Sequence, residues 1–282
     1  MNSRLKRVTS LGLGLVISGG LLTACDAADA PAPDGPVADA PTPAESQAPA
    51  GSHAPMGQMG EGGEGEGGVS IGDAYTSAVV FNSSLAIAAA HVIAARDAHA
   101  AGRVEAAAEM FAHPVSEVLL DMEPVFLARG VAPFDALFTE ASLAVLEGES
   151  SEQIAERAGE ILAMIGAAQA FAPDDESTPA DIAAGVAVDQ IDRAADMYRI
   201  AQRAGAYGPY LDGYGFFRAA EMAYRDQADA VSAADSEAAE RIEAALALLG
   251  EAYPSAAMPE ALDADRAALS SASAQAMLAV LN

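Results

Sequence analysis

The chain has 282 residues, of which 41 are acidic and 14 are Lys or Arg, so its formal net charge at pH 7 is −27. An excess of acid this large argues against nucleic acid as a partner and against flat contact with anionic lipid headgroups, and it favours cationic ligands or simple solubility. The single lysine, Lys6, and the single cysteine, Cys25, leave no P-loop or Schiff-base lysine in the rest of the chain, and they exclude an intramolecular disulfide, a thiolate zinc site and an iron–sulfur cluster.

The first 24 residues have the features of an export signal. Three basic residues, Arg4, Lys6 and Arg7, precede a short apolar stretch at residues 11–22. A membrane-spanning helix needs about 20 apolar residues, so this shorter stretch is typical of a signal peptide. Removal of the segment takes away three positive charges and no acid, which leaves 11 basic against 41 acidic residues and a net charge of −30.

The segment Leu22-Thr23-Ala24-Cys25 resembles the lipobox of bacterial lipoproteins, where small residues precede a cysteine. The resemblance implies that Cys25 carries acyl chains such as palmitate and becomes the first residue of a mature protein anchored in the membrane and facing the periplasm. Asp26 resembles the sorting signal that retains lipoproteins at the inner membrane. The alternative is an ordinary signal peptide followed by an unrelated cysteine.

Residues 25–70 are predicted to form a disordered tether. They hold seven of the 15 prolines, nine glycines, eight acids and no aromatic residue. Such a segment cannot bury enough apolar surface to offset the entropy lost on ordering. We expect it to hold a folded body clear of the membrane.

Residues 71–282 are predicted to form an all-α domain, an antiparallel helical bundle with short loops. Alanine is abundant, and apolar residues recur at spacings of three and four, which is the helical period. Thr178-Pro179 is typical of an N-cap followed by a first-turn proline. The pattern fits one bundle as well as two subdomains. The predicted helices lie near residues 72–101, 103–113, 115–129, 132–147, 151–171, 179–204, 209–232, 235–250 and 259–281.

Three histidines of the folded part, His91, His99 and His113, fall within 23 residues of one another. Imidazoles and carboxylates on facing helices form iron, manganese and zinc sites in helical bundles. Acids follow the last histidine at helical spacing, so a helix that continued through Pro114 and packed antiparallel around Gly102 would bring them to His91. The predicted ligands of a transition-metal ion (iron, zinc or copper) are His91, Glu109, His113 and Glu117, with His99 and Asp121 as outer candidates.

The same residues have a purely structural interpretation. Pro114 fits the first turn of a new helix, where the helix dipole favours Glu117 without any metal. His91 lies among alanines and is equally well placed as a core histidine. Acids repeated every four residues are also common on solvated helix faces.

The stretch from His91 through Gly102-Arg103 and His113-Pro114-Val115-Ser116-Glu117 to Arg129-Gly130-Val131-Ala132-Pro133-Phe134 resembles exported helical proteins of Gram-negative bacteria. More loosely, it is similar to the periplasmic proteins of the imelysin and iron-uptake group. The resemblance covers residues 91–134 and implies a helical periplasmic protein associated with iron. The imelysin signature Gly-x-His-x-x-Glu is not present, because Ala89 and Ala94 occupy its glycine and glutamate positions around His91.

A second candidate site lies in residues 205–217, which hold five of the 15 aromatic residues. The oxygen atoms and rings of this segment suit a hard cation or a small molecule. The alternative is an aromatic plug that closes one end of the bundle. The candidate ligands are Tyr207, Tyr210, Asp212 and Tyr214.

No catalytic constellation stands out, since the sequence lacks His-Glu-x-x-His and shows no paired nucleophile and base. We therefore predict a non-enzymatic, lipid-anchored, acidic helical binding protein of the cell envelope, with a transition-metal ion as its ligand. The alternative is a structural or protein-interaction lipoprotein that has no metal site and binds another envelope protein.

Overall fold

The computed structural model describes residues 68–281. The predicted signal peptide, Cys25, Asp26 and residues 25–67 of the predicted tether lie outside the described residues. Within residues 68–281 the chain forms α-helices, one π turn, one 3-10 turn and an isolated bridge at Ser70, so the predicted all-α fold is confirmed. The elements are α1 Ile71–Ala74, α2 Ala78–Ala100, α3 Val104–Pro114, the π turn Val115–Leu119, α4 Leu120–Arg129, α5 Asp135–Glu147, α6 Ser151–Ala168, the 3-10 turn Gln169–Phe171, α7 Pro179–Ala204, α8 Tyr207–Arg225, α9 Ala228–Ala234, α10 Ser236–Ala252 and α11 Arg266–Leu281.

Helix α2 is the centre of the body. It packs against α3, α6, α7 and α8, and 17 of its 23 residues are buried. The sequence of α2 is an alanine-rich apolar run without an exposed polar face. A helix that is apolar on all sides must be surrounded by other helices. Its length and hydropathy would also suit a membrane span, but 89% of its most apolar window is buried inside the body, as in the core helix of a soluble protein.

The hairpins next to α2 and α7 turn at glycines in the left-handed region. Gly102 has φ +75° between α2 and α3, and Gly205 has φ +62° between α7 and α8. Only glycine adopts this conformation without strain, so each helix ends there and the next one folds back beside it. Thr178 and Asp181 form a capping box at the start of α7, as the sequence predicted for an N-cap before Pro179.

The predicted break at Pro114 is replaced by a continuous helix with a π turn. Pro114 has helical dihedrals, and the Leu120 N–H bonds the Val115 carbonyl five residues earlier. Proline has no N–H to donate to the carbonyl four residues before it, but its own dihedrals suit a helix and a single π turn is tolerated within a helix, so the two segments join. Segments α3, the π turn and α4 therefore form one continuous helical segment that is antiparallel to α2.

The predicted helix at residues 259–281 begins later, at Arg266. Residues 253–265 form an irregular segment whose backbone groups bond side chains of α7 and α8. The Tyr207 hydroxyl donates to the Ala256 carbonyl at 2.9 Å, and the Tyr198 hydroxyl accepts from the Ala264 N–H at 3.0 Å. Backbone groups engaged in this way are not available for helical hydrogen bonds.

The predicted helix at residues 209–232 is divided into α8 and α9. The chain turns at Gln227, and α9 packs on α7 and α10, where Val231 is buried. The free energy gained by burying this apolar residue against a neighbouring helix exceeds the free energy that a straight continuation of α8 would give.

Candidate metal centre

His91 is held deep in the bundle with one ring nitrogen fixed. The side chain is 3% exposed, and its Nδ1 lies 2.8 Å from the Ile87 carbonyl one turn earlier on α2. A carbonyl only accepts, so Nδ1 carries the proton, and in the neutral ring the lone pair lies on Nε2. Such an Nδ1–H to carbonyl bond is the usual way in which proteins orient a metal-binding imidazole.

Nε2 of His91 faces two carboxylates from two other elements. It lies 3.4 Å from Oε2 of Glu117 on the π turn and 3.7 Å from Oδ1 of Asp212 on α8. Both distances exceed the length of a strong charge-assisted hydrogen bond, so neither oxygen makes such a bond with the ring.

His113 brings a second imidazole to the same place. Its ring centre lies 5.9 Å from that of His91, and its Nδ1 lies 3.7 Å from Oε1 of Glu117. The α2–α3 hairpin explains this, because His91 and His113 each stand 11 residues from the turn at Gly102. His113 and Glu117 are both about one-third exposed, so this side of the site is open to solvent.

Asp212 reaches the histidines because α8 approaches α2 very closely. A Cβ on Gly215 would lie 2.5 Å from the Ala90 carbonyl, so only glycine permits this spacing of the two helices. Phe216 packs edge-on against His91, with ring centres 5.6 Å apart. The Oδ1 atom of Asp212 is buried and has no hydrogen-bond partner among the described residues.

The charges of the site are strongly coupled. Burial by itself would lower the pKa of His91, but contact with Glu117 and the charge of Asp212 raise it above its ordinary value. Contact with His91 lowers the pKa of Glu117, whereas burial raises the pKa of Asp212. Perturbed groups that share a cleft are typical of functional sites.

These side chains supply a set of ligand atoms that could coordinate a metal ion. One ligand atom each from His91, His113 and Asp212 lie within 4.8 Å of one another, and Glu117 contacts both imidazoles. Ligand atoms around a tetrahedral zinc ion stand roughly 3.4 Å apart, so a small contraction would close the set on an ion. Mixed imidazole and carboxylate donors suit zinc and iron better than magnesium or calcium.

The site opens into an acidic cleft of about 530 Å³ between α2, α7 and α8. Five carboxylates line it, together with His91, one arginine and apolar groups. Each α7 carboxylate in the cleft has a cationic or hydroxyl partner, whereas Asp212 Oδ1 has no hydrogen-bond partner in the described part of the chain. The lining residues are Gly68, Ile87, His91, Glu117, Asp189, Asp192, Arg193, Asp196, Met197, Asp212 and Phe216.

Three of the predicted ligand positions lie apart from this group. Glu109 is exposed on α3, and Asp121 is half-buried on α4 beyond the π turn. His99 lies two turns further along α2, with Nδ1 3.3 Å from the Ser151 hydroxyl. None of the three belongs to the donor group that the described residues bring together.

The predicted tyrosine site is divided by the structure. The Tyr207 and Tyr210 hydroxyls donate to the backbone carbonyls of Ala256 and Ser255. Tyr214 donates to Asp97 on α2 at 2.7 Å. These bonds hold the irregular segment and α2 in place rather than forming a shared pocket, which fits the alternative of an aromatic plug. Asp212 alone of this predicted set points to the histidines.

Sequence reasoning placed Asp212 with the tyrosines and therefore missed its position beside His91. The two residues are 121 positions apart, and spacing along one helix cannot pair them. A usable signal was present, since Gly213 and Gly215 flank Tyr214 within a helical run. A glycine within a helical run permits close approach of another element, as Gly215 does for the backbone of α2.

The comparisons with known proteins give one match. Residues 209–279 match the iron permease-associated 4-helix bundle domain family. This range covers α9 and α10 entirely and most of α8 and α11, and it includes Asp212 but not His91, His113 or Glu117. The match is consistent with the resemblance to iron-uptake proteins. Neither the curated proteins nor the solved structures gave a significant match.

Proposed function

We propose that this protein is a lipid-anchored, non-enzymatic protein of the cell envelope that binds a transition-metal ion, with iron as the first candidate. His91, His113, Glu117 and Asp212 would hold the ion. The observation that carries the proposal is the buried Oδ1 atom of Asp212, which has no hydrogen-bond partner within residues 68–281 and faces Nε2 of His91 at 3.7 Å. A buried acceptor without a partner is destabilising, and a cation between these two atoms would satisfy it.

Three further observations support a metal rather than a purely structural cluster. Nδ1 of His91 is already bonded, so Nε2 has the lone pair that a ligand needs. The donors come from four separate elements, α2, α3, the π turn and α8, and His91, Glu117 and Asp212 line a cleft that is rich in acids. The match to an iron permease-associated domain favours iron among the ions that such donors accept.

The same family match, together with the export signal and lipobox resemblance, supports a location at the cell envelope. Replacement of Cys25 by alanine should release the protein from the membrane fraction. Sedimentation of the expressed protein in the membrane fraction, before and after this substitution, tests the anchor independently of the metal. An unchanged membrane association of the variant would contradict the lipid anchor.

The metal test is a melting experiment on the full chain purified in detergent, with Fe²⁺ under anaerobic conditions, Zn²⁺ or Cu²⁺. A ligand that binds the folded state alone adds about 2.7 kcal/mol of stability at a free concentration 100 times its Kd, so the melting temperature should rise by several degrees. The rise should disappear in His91→Ala and in His113→Ala.

His99→Ala is the matched control, because it removes an imidazole from the same pair of helices without touching the donor group. It should retain the full rise. The absence of a rise in the wild-type protein with all three ions would overturn the proposal and favour a structural or protein-interaction role at the envelope.

A further inference from the structure

The acidic cleft already contains a cation of the protein itself. Arg193 on α7 bonds Asp189 through Nε at 3.0 Å and Nη2 at 3.4 Å, and Nη2 also donates to the Gly68 carbonyl at 3.2 Å. Among the described residues that line the cleft, Arg193 is the only arginine, and there is no lysine. Its guanidinium group is therefore the one permanent positive charge among the described residues of this carboxylate-rich lining.

A single aromatic ring separates this guanidinium from the metal centre. The Phe216 ring packs edge-on against His91 at 5.6 Å, and the guanidinium carbon of Arg193 lies 6.0 Å from the centre of the same ring. The guanidinium is consequently no more than about 12 Å from the imidazole. Over this distance, and at the lower dielectric constant of a partly buried site, a fixed charge still changes the electrostatic energy of a bound ion.

We infer that Arg193 is an internal counter-ion that holds the metal affinity of the cleft below the value its carboxylates would otherwise give, so that the bound ion stays exchangeable. The inference rests on the proposed function, because it concerns the regulation of the same site. Arg193 acts in two ways that add together. It repels a divalent ion directly, and it neutralises Asp189, which would otherwise attract one.

The same contacts also allow a purely structural role, in which Arg193 fastens residue 68 to α7. The two roles predict opposite changes on removal of the charge. If Arg193 only holds residue 68 against α7, its removal would loosen the cleft and weaken metal binding. If Arg193 is a counter-ion, its removal would strengthen metal binding. Metal affinity and its salt dependence therefore distinguish them.

The test is a titration of the full chain in detergent with Zn²⁺, and with Co²⁺ as a spectroscopic probe of imidazole coordination. Arg193→Gln should bind Zn²⁺ roughly three to ten times more tightly at low ionic strength, as repulsion between a divalent ion and a unit charge at this distance requires. The gain should shrink at about 0.5 M salt, where charges beyond a few ångströms are screened. Arg193→Lys, which keeps the charge, should remain within about twofold of the wild type.

Arg241→Gln is the control for net charge. Arg241 pairs with Glu237 at the same four-residue spacing on α10 and does not line the cleft, so its loss should leave the affinity unchanged. Equal or weaker binding by Arg193→Gln, while the wild type binds and His91→Ala does not, would overturn the counter-ion role and leave the metal site standing. Failure of the wild type to bind either ion would overturn the proposed function and this inference with it.

Discussion

Nε2 of His91 and Oδ1 of Asp212 face each other at 3.7 Å across the contact between α2 and α8, and both the ring and the carboxylate oxygen are buried. The gap is too long for a hydrogen bond. The bonded Nδ1 of His91 fixes the ring, and the close approach of α8 at Gly215 fixes the carboxylate. The fold thus holds two atoms with lone pairs apart at a distance that an ion can fill.

The first prediction separates metal binding from stability at Asp212. Asp212→Asn keeps the shape of the side chain and removes its charge, so metal affinity should fall at least tenfold, as for other changes at metal sites. Burial disfavours the charged form of this carboxylate, so the metal-free variant should melt no lower than the wild type. Melting curves with and without Zn²⁺ measure both effects.

Asp192→Asn is the matched control for that variant. Asp192 lines the same cleft but accepts a hydrogen bond from the Ser273 hydroxyl at 2.7 Å, which an amide oxygen can also accept. It should keep its metal-induced rise in melting temperature. Equal losses in the two variants would mean that the cleft binds cations through general negative charge, without a defined ligand at Asp212.

The helical architecture followed from sequence patterns because it depends on local chemistry. Helix ends depend on residues that are close in sequence, as in the capping box at Thr178 and the glycine stops at Gly130, Gly148 and Gly205. The start of α11 was placed too early, since the irregular segment before it depends on distant side chains such as Tyr207. Local patterns carry no information about such partners.

The site was predictable only along the hairpin that local spacing describes. His91, His113 and Glu117 were grouped because α2 and α3 meet at a short turn. Asp212 required knowledge of how α8 crosses α2, which is decided by packing in the whole core. Glu109 was predicted as a ligand from its four-residue spacing to His113, but the structure leaves it exposed on the outer face of α3.

The second prediction concerns the close contact between α2 and α8. Gly215→Ala would place a methyl group 2.5 Å from the Ala90 carbonyl, so the helices must separate. Overpacking of this kind costs about 1–3 kcal/mol, and the melting temperature should fall by several degrees. Metal affinity should fall as well, because Asp212 moves away from His91.

Gly208→Ala in the same helix is its control. A Cβ at Gly208 meets no atom within 4 Å, and alanine favours helix formation, so this variant should be as stable as the wild type or more so. If Gly215→Ala also melts like the wild type, the close helix contact does not position Asp212.

The third prediction concerns the buried tyrosines at high pH. Burial raises the pKa of Tyr210 and that of Tyr224 to about 12, and burial raises the pKa values of Tyr214 and Tyr253 well above the ordinary range. The folded state therefore keeps these protons after the unfolded chain begins to lose them near pH 10. The contribution of these tyrosines to stability should be constant below that pH, and the stability of the protein should decrease as the pH rises from about 10 towards 12.

Tyrosinate absorbance in the near ultraviolet follows this titration without interference, because the chain has no tryptophan. The signal of the folded protein should rise together with the loss of helical circular dichroism, whereas the protein in denaturant should titrate near pH 10. Full ionisation near pH 10 with the helical signal intact would show that the hydroxyls of these tyrosines are open to solvent.

The fourth prediction is the cation selectivity of the centre. A chain with a net charge of −27 attracts any divalent cation weakly, and carboxylates alone would favour Mg²⁺ and Ca²⁺ as hard ions. The imidazoles of His91 and His113 change this preference towards Fe²⁺, Zn²⁺ and Co²⁺. We therefore expect Co²⁺ bound to the wild-type protein to resist a large excess of Mg²⁺ and to be displaced by stoichiometric Zn²⁺. Displacement of Co²⁺ by Mg²⁺ alone would mean that the acids of the cleft bind the ion and that the histidines belong to the core.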